Sequence, residues 1–101
     1  MTDKIRSIAI LGGTGDLGGG LARQWSRAGF QIHIGSRTLD KGLAAANKLV
    51  TEFPDLNVTG HDNVSAAQLA DLVVLTVPFA HQLSTLDSVR QALDGKVLID
   101  V

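Results

Sequence analysis

Apolar residues fall along this chain in two alternating rhythms: short consecutive or every-other runs, and longer stretches in which they recur every third or fourth residue. Ile8, Ala9, Ile10 and Leu11 are consecutive, as in a strand covered on both faces, and predict a strand over Ile5–Leu11. Leu17, Leu21 and Trp25 then repeat every fourth residue with Ala22 beside them. That predicts a helix from Asp16 to Ala28 with this stripe buried, Arg23, Gln24 and Arg27 wet, and Gly29 as its stop. Phe30, Ile32 and Ile34 alternate with Gln31 and His33, which predicts a half-buried strand over Phe30–Gly35 with His33 on its less buried face. Leu43, Ala46, Val50 and Phe53 give a second helix over Asp40–Glu52, ended by Pro54. A short edge strand at Val58–Gly60 follows, then a short helix through Ala70 capped by Asn63 or Ser65. Asp71 to Val77 reads as a central strand ended by Pro78, Phe79 to Leu93 as a helix closed by Asp94-Gly95, and Lys96 to Val101 as a fifth strand.

This strand–helix alternation predicts the α/β class. With right-handed crossovers the expectation is a doubly wound parallel sheet in order 3-2-1-4-5, in three layers, with no antiparallel pairing among the first, second, fourth and fifth strands.

The glycines add chemistry. Gly13-Thr14-Gly15-Asp16-Leu17-Gly18 fits G-x-G-x-x-G and stands between the first strand and the first helix, the context that gives the motif weight and makes the fold Rossmann-type. Gly13 lets the chain turn off the strand, Gly15 lets a pyrophosphate approach the backbone, and Gly18 lets the helix pack on the sheet. The helix start then offers free N–H groups and the positive end of its dipole to an anion.

About twenty residues beyond the glycines, an NAD-binding fold carries an acid for the ribose 2′-hydroxyl. Ser36 and Arg37 stand there instead, with Lys41 four residues past Arg37. A hydroxyl, a guanidinium fork and an ammonium suit the 2′-phosphate of NADP; the competing reading is a solvated basic turn. Pro78 turns the chain at the C-terminal edge of the sheet, where such folds bind ligands.

Composition narrows the rest. A length of 101 residues predicts one domain over 1–101, and 45% hydrophobic residues predict a globular one. A net charge of −1 gives no electrostatic case for nucleic acid or an anionic membrane. The absence of cysteine excludes disulfides, thiolate metal sites and a cysteine nucleophile. His61 beside Asp62 offers two ligands and makes no metal site. No apolar run approaches the ~20 residues of a membrane span, so a soluble, cytoplasmic protein is expected.

Three segments together carry a family resemblance: Leu11 to Gly15, Gly35 to Arg37, and Val77 to His81, in which a strand ends in proline, an aromatic and a nearby histidine. The chain resembles, over essentially its whole length, the N-terminal domain of NADPH:coenzyme F420 oxidoreductases. Bacterial dinucleotide-binding relatives and the oxidoreductase domains of metalloreductases share much of the pattern. The resemblance implies hydride transfer between NADP(H) and a deazaflavin (F420) or flavin-like acceptor. It implies that Thr14 to Leu17 hold the pyrophosphate, that Ser36, Arg37 and Lys41 hold the 2′-phosphate, and that Val77, Pro78 and His81 lie near the nicotinamide. With Gly12, Gly13, Gly18 and Thr76 these make the expected cofactor-binding set, and His81 is the catalytic candidate, orienting or polarising a ring.

Family members continue for roughly as many residues again, and that second half completes the acceptor site. An isolated or truncated domain is therefore expected, binding NADP better than it turns anything over. Its partners would be a dinucleotide, a redox acceptor and another copy of itself, since Lys96 to Val101 lacks a covering neighbour. The alternatives are an atypical short-chain dehydrogenase relative, a class that often uses a Tyr/Lys pair where this chain has no tyrosine, and a non-catalytic NADP-binding sensor module.

Overall fold

The computed structural model describes residues 5–12, 15–77 and 79–100, excluding the side chains of residues 16, 79–81 and 100. The described elements run β1 (Ser7–Leu11), α1 (Asp16–Arg27), β2 (Gln31–Ser36), α2 (Leu39–Glu52), β3 (Val58–Asp62), α3 (Asn63–Leu69), β4 (Leu72–Leu75), α4 (Phe79–Val89), a 3-10 turn (Arg90–Leu93) and β5 (Val97–Asp100). The strands form one sheet in order β3-β2-β1-β4-β5, and every described pairing is parallel. The expected order and the expected absence of antiparallel pairs are both observed.

Period-two alternation sorts the sheet's side chains between two cores. Ile8 and Ile10 of β1, Ile32 and Ile34 of β2 and Val74 of β4 face one way, with Ala22 of α1 and Ala46 of α2. Ala9, Leu11, Val73 and Leu75 face the other way and meet Ala66, Ala67 and Ala70 at α3 and Val89 of α4. Ala66 and Ala67 on this short helix and Ala70 at its C-cap keep it close to the sheet.

Several sequence expectations change in detail. Leu17 is 51% exposed and Leu43 is also exposed, although both were assigned to buried stripes. The helices meet the sheet through buried Gly18 and Ala22 on α1 and Gly42 and Ala46 on α2, while Leu21, Trp25, Val50 and Phe53 of the expected stripes are partly buried against the same core. At Gly42 and Gly60 the approach is backbone to backbone: a Cβ on Gly42 would strike the His61 carbonyl, and one on Gly60 would strike that of Gly42. β3 extends to Asp62, and the cap of α3 is Asp62, whose Oδ1 accepts from Ser65 N at 2.7 Å, rather than Asn63 or Ser65. Arg23 and Arg27 are exposed as expected, but their guanidinium groups lie 5.3 and 4.8 Å from the Phe53 ring centroid, joining α1 to the end of α2.

His33 is buried, at 5% exposure, rather than on a less buried face. Thr59 and His61 of β3 share its side of the sheet: His33 Nδ1 and His61 Nε2 lie 3.0 and 2.8 Å from Thr59 Oγ1, and the imidazoles meet edge-on. Burial, and next the nearby His61, hold the His33 pKa below its ordinary 6.5. At the opposite end of the sheet from the glycine loop, Asp71 Oδ2 accepts from the backbone N–H groups of Arg6 at 3.0 Å and Ser7 at 3.3 Å. The Arg6 bond is the main reason its pKa is lowered, against the pull of desolvation.

The β5 edge is the least covered part of the sheet. Val97, Leu98 and Ile99 are 55%, 38% and 44% exposed.

Candidate functional site

The C-terminal ends of β2, β1 and β4 converge on the first glycine of the loop. Gly12 has φ +74°, a left-handed conformation suited to glycine, and its N–H donates to Gly35 O at 2.9 Å. On its other side a Cβ would strike the Val77 side chain. Thr76 completes the seam, since its backbone N–H and its hydroxyl both donate to Leu11 O, at 3.0 and 2.9 Å. The positive-φ glycine seen at this turn is thus Gly12; Gly13, assigned that task from the motif, lies outside the described residues with Thr14 and Pro78.

The seam fixes where α1 begins. Gly15 is its N-cap, in extended conformation, and supplies no side-chain cap. The first N–H groups of α1 therefore lack the side-chain acceptor that usually meets such orphan donors. A Cβ built on Gly15 would meet nothing within 4 Å, so the space before the helix is open. The pyrophosphate of a dinucleotide fits an open, uncapped helix start of this kind. Asp16 opens α1 and His81 lies in the first turn of α4, but their side chains lie outside the description. Leu17, exposed beside the loop, is free to border a ligand rather than the core. Gly18 is buried on α1.

The basic turn lies at the end of β2. Ser36 is buried at 6% exposure, Arg37 is exposed, and Thr38 caps α2 by accepting from Lys41 N at 3.3 Å. Among the described residues no ion pair engages Arg37 or Lys41, so neither charge is committed to holding the fold. The structure brings Ser36 and Arg37 into one cleft of about 430 Å³ with Asp62, Asn63, Val64, Ser84, Thr85 and Ser88. Lys41 stands in the first turn of α2 and does not line it. Sequence reading missed the cleft's far wall because Ser84, Thr85 and Ser88 come from α4, almost fifty residues away. Asn63 was noticed only as a cap.

Among the described residues no cluster of three or more His, Asp or Glu side chains is arranged to hold a metal. No described helix is long and apolar enough to cross a membrane.

An uncapped helix start beside the reversal point of a doubly wound parallel sheet defines a Rossmann-type nucleotide-binding fold. Residues 7–101 match the family model described as NADP oxidoreductase coenzyme F420-dependent, and the chain belongs to that oxidoreductase family. It is 50% identical over 95 residues to the F420-dependent NADP reductase of Methanothermobacter marburgensis, covering 92% of this chain and 42% of the relative. Against the F420-dependent NADP reductase of Methanocaldococcus jannaschii the identity is 38% over 98 residues, covering 93% and 44%. Among solved structures, an inferred F420-dependent NADP reductase from Arthrobacter sp. FB24 superposes with TM-score 0.79 at 31% identity, covering 93% of this chain and 43% of that one. A lactate dehydrogenase from Cryptosporidium parvum superposes with TM-score 0.76 at 17% identity, over 99% of this chain and 38% of its own, a likeness of fold. The chain thus spans less than half the length of these relatives.

Proposed function

We propose that this chain binds NADP(H) and forms the nucleotide half of a hydride-transfer site that works with coenzyme F420 or a similar flavin-like acceptor. The observation that carries the reading is the pairing of an open, uncapped helix start at Gly15 with an uncommitted guanidinium at Arg37. The loop from Gly12 to Gly18 receives the pyrophosphate through the N–H groups of α1. Ser36 and Arg37 receive the 2′-phosphate, and Lys41 adds longer-range attraction from its exposed position in α2.

When bound, the nicotinamide supplies or takes up a hydride, two electrons carried with one hydrogen nucleus. The protein's part is placement. The seam of Gly12, Gly35, Thr76 and Val77 sets the floor on which a ring is held at close approach, and Thr76 and Val77, with Pro78 next in sequence, border its end of the site. His81, in the first turn of α4, is assigned to orienting that ring. The relatives' names supply the acceptor class, and the cytoplasm is the setting we assign.

The test is calorimetric titration with NADPH and NADH, followed by a spectroscopic assay for hydride transfer to F420. Tight, NADPH-selective binding supports the nucleotide half of the reading, and transfer supports the whole. Binding with no transfer leaves a sensor or an isolated half-site. No binding of either nucleotide refutes the reading.

A further inference from the structure

Val73 to Val77 is an apolar run broken at one position, Thr76, which has the shape of valine and carries a hydroxyl. The position is half-buried, where a valine would avoid the cost of desolvating that hydroxyl. The hydroxyl donates to Leu11 O at 2.9 Å, and the Thr76 backbone N–H donates to the same oxygen at 3.0 Å. Leu11 O would keep a donor without the side chain, so no buried acceptor requires the hydroxyl. What it adds is a second donor on the oxygen's other lone pair. Leu11 C=O and Gly12 N–H belong to one rigid peptide plane. The N–H of that plane donates to Gly35 O on β2 at 2.9 Å, while its carbonyl is held from the β4 side. The last peptide plane before the glycine loop is thus gripped on both edges. Gly12 follows at φ +74°, with no Cβ to stiffen the turn.

We infer that Thr76 is a positioning residue: its hydroxyl fixes the tilt of the Leu11–Gly12 peptide plane and so aims the glycine loop and the first N–H groups of α1 at the pyrophosphate. This rests on the NADP(H) reading above and gives Thr76 the task of holding the loop rather than the ligand. A carbonyl with one donor tilts freely about that bond, whereas one with two donors tilts only by losing one. The loop magnifies the tilt, since three residues separate the plane from Gly15, the N-cap of α1. The hydroxyl's single proton is committed to Leu11 O. It has none left for a phosphate oxygen, which accepts hydrogen bonds and donates none.

The full chain, Thr76→Val and Thr76→Ser are titrated with NADP+ and with adenosine 2′-monophosphate, which keeps the 2′-phosphate and lacks the pyrophosphate. Hydrogen exchange at the Gly12 amide is followed in the ligand-free proteins. Thr76→Val is expected to bind NADP+ about fivefold more weakly, the scale of one hydrogen bond, and to bind the monophosphate as the wild type does. Its Gly12 amide should exchange about fivefold faster, and Thr76→Ser should restore both properties. Equal loss of the two ligands, or loss of neither, overturns the assignment. Weaker NADP+ binding with unchanged Gly12 exchange also overturns it, in favour of direct contact between hydroxyl and ligand. The exchange readout decides alone where the monophosphate binds too weakly to titrate. If Thr76→Val does not fold, the wild type supplies the test: Gly12 N–H must be protected before nucleotide is added, and protection that arises only with NADP+ refutes a loop aimed in advance. A wild type that binds no NADP+ removes the NADP(H) reading and this one with it, whereas every other result leaves that reading standing.

Discussion

Replacing Arg37 with alanine should separate the two nicotinamide cofactors. They differ by one phosphate on the adenosine ribose, and Arg37 stands at the end of β2, where this fold places that ribose. A hydrogen bond to a charged group contributes about 1.5–3 kcal/mol, or about ten- to over a hundredfold in affinity. Arg37 is exposed, so water screens it and the lower end applies. We expect Arg37→Ala to weaken NADPH binding about tenfold and to leave NADH nearly unchanged. No ion pair holds the guanidinium among the described residues, so stability should stay within about 0.5 kcal/mol. The NADPH preference should also shrink with salt, as the screening length falls from ~10 Å at 0.1 M to ~3 Å at 1 M. Calorimetric titration of both cofactors against both proteins, at two salt concentrations, supplies the readout. Equal loss of NADPH and NADH, or a wild type that binds them equally, would mean that Arg37 is only a solvated turn residue.

Gly15→Val should fold, since open space surrounds that position, yet lose dinucleotide binding as the side chain takes the pyrophosphate's room; retained affinity would put the phosphate elsewhere. Gly60→Ala forces a methyl into the Gly42 backbone and should destabilise by about 3 kcal/mol in urea unfolding, the upper range for overpacking; a neutral result would mean that α2 can lift off the edge strand. Burial disfavours the charged form of His33 in the fold, so its contribution is complete above pH 6.5 and declines as pH falls toward its lowered folded pKa. His33→Val should flatten stability against pH in that window, and an unchanged profile would assign the dependence to other groups. Exposed Val97, Leu98 and Ile99 on an edge strand should promote weak self-association, which a single monomeric species in concentrated sedimentation runs would disprove.

The strands were the readable part of the chain. Ile8–Leu11 and Leu72–Leu75 are apolar on consecutive positions because both their faces are buried, and this is visible without any structure. The helix faces were less readable. Periodicity counts large side chains, and it assigned Leu17 and Leu43 inward, whereas close approach to the sheet favours the small residues at 18, 22, 42 and 46. His33 was misplaced because its partners, Thr59 and His61, sit on the neighbouring strand and local alternation does not register them. The glycine loop and basic turn were legible as motifs with a fixed separation. The cleft was not, since its walls are contributed by segments that only the tertiary fold makes neighbours.

The glycine contact between α2 and β3 has a mechanical consequence. Where side chains separate a helix from a sheet, there is play, and the helix rocks as they change rotamer. The Gly42–Gly60 seam has no such cushion, and it lies within the turn of α2 that directly follows Arg37 and Thr38. The basic turn is thus mounted on a rigid bracket: its chemistry can be exchanged, but its position is difficult to tune. If Ser36 and Arg37 hold the 2′-phosphate as proposed, changing cofactor preference becomes a matter of which side chains occupy 36 and 37, with no loop to remodel alongside them.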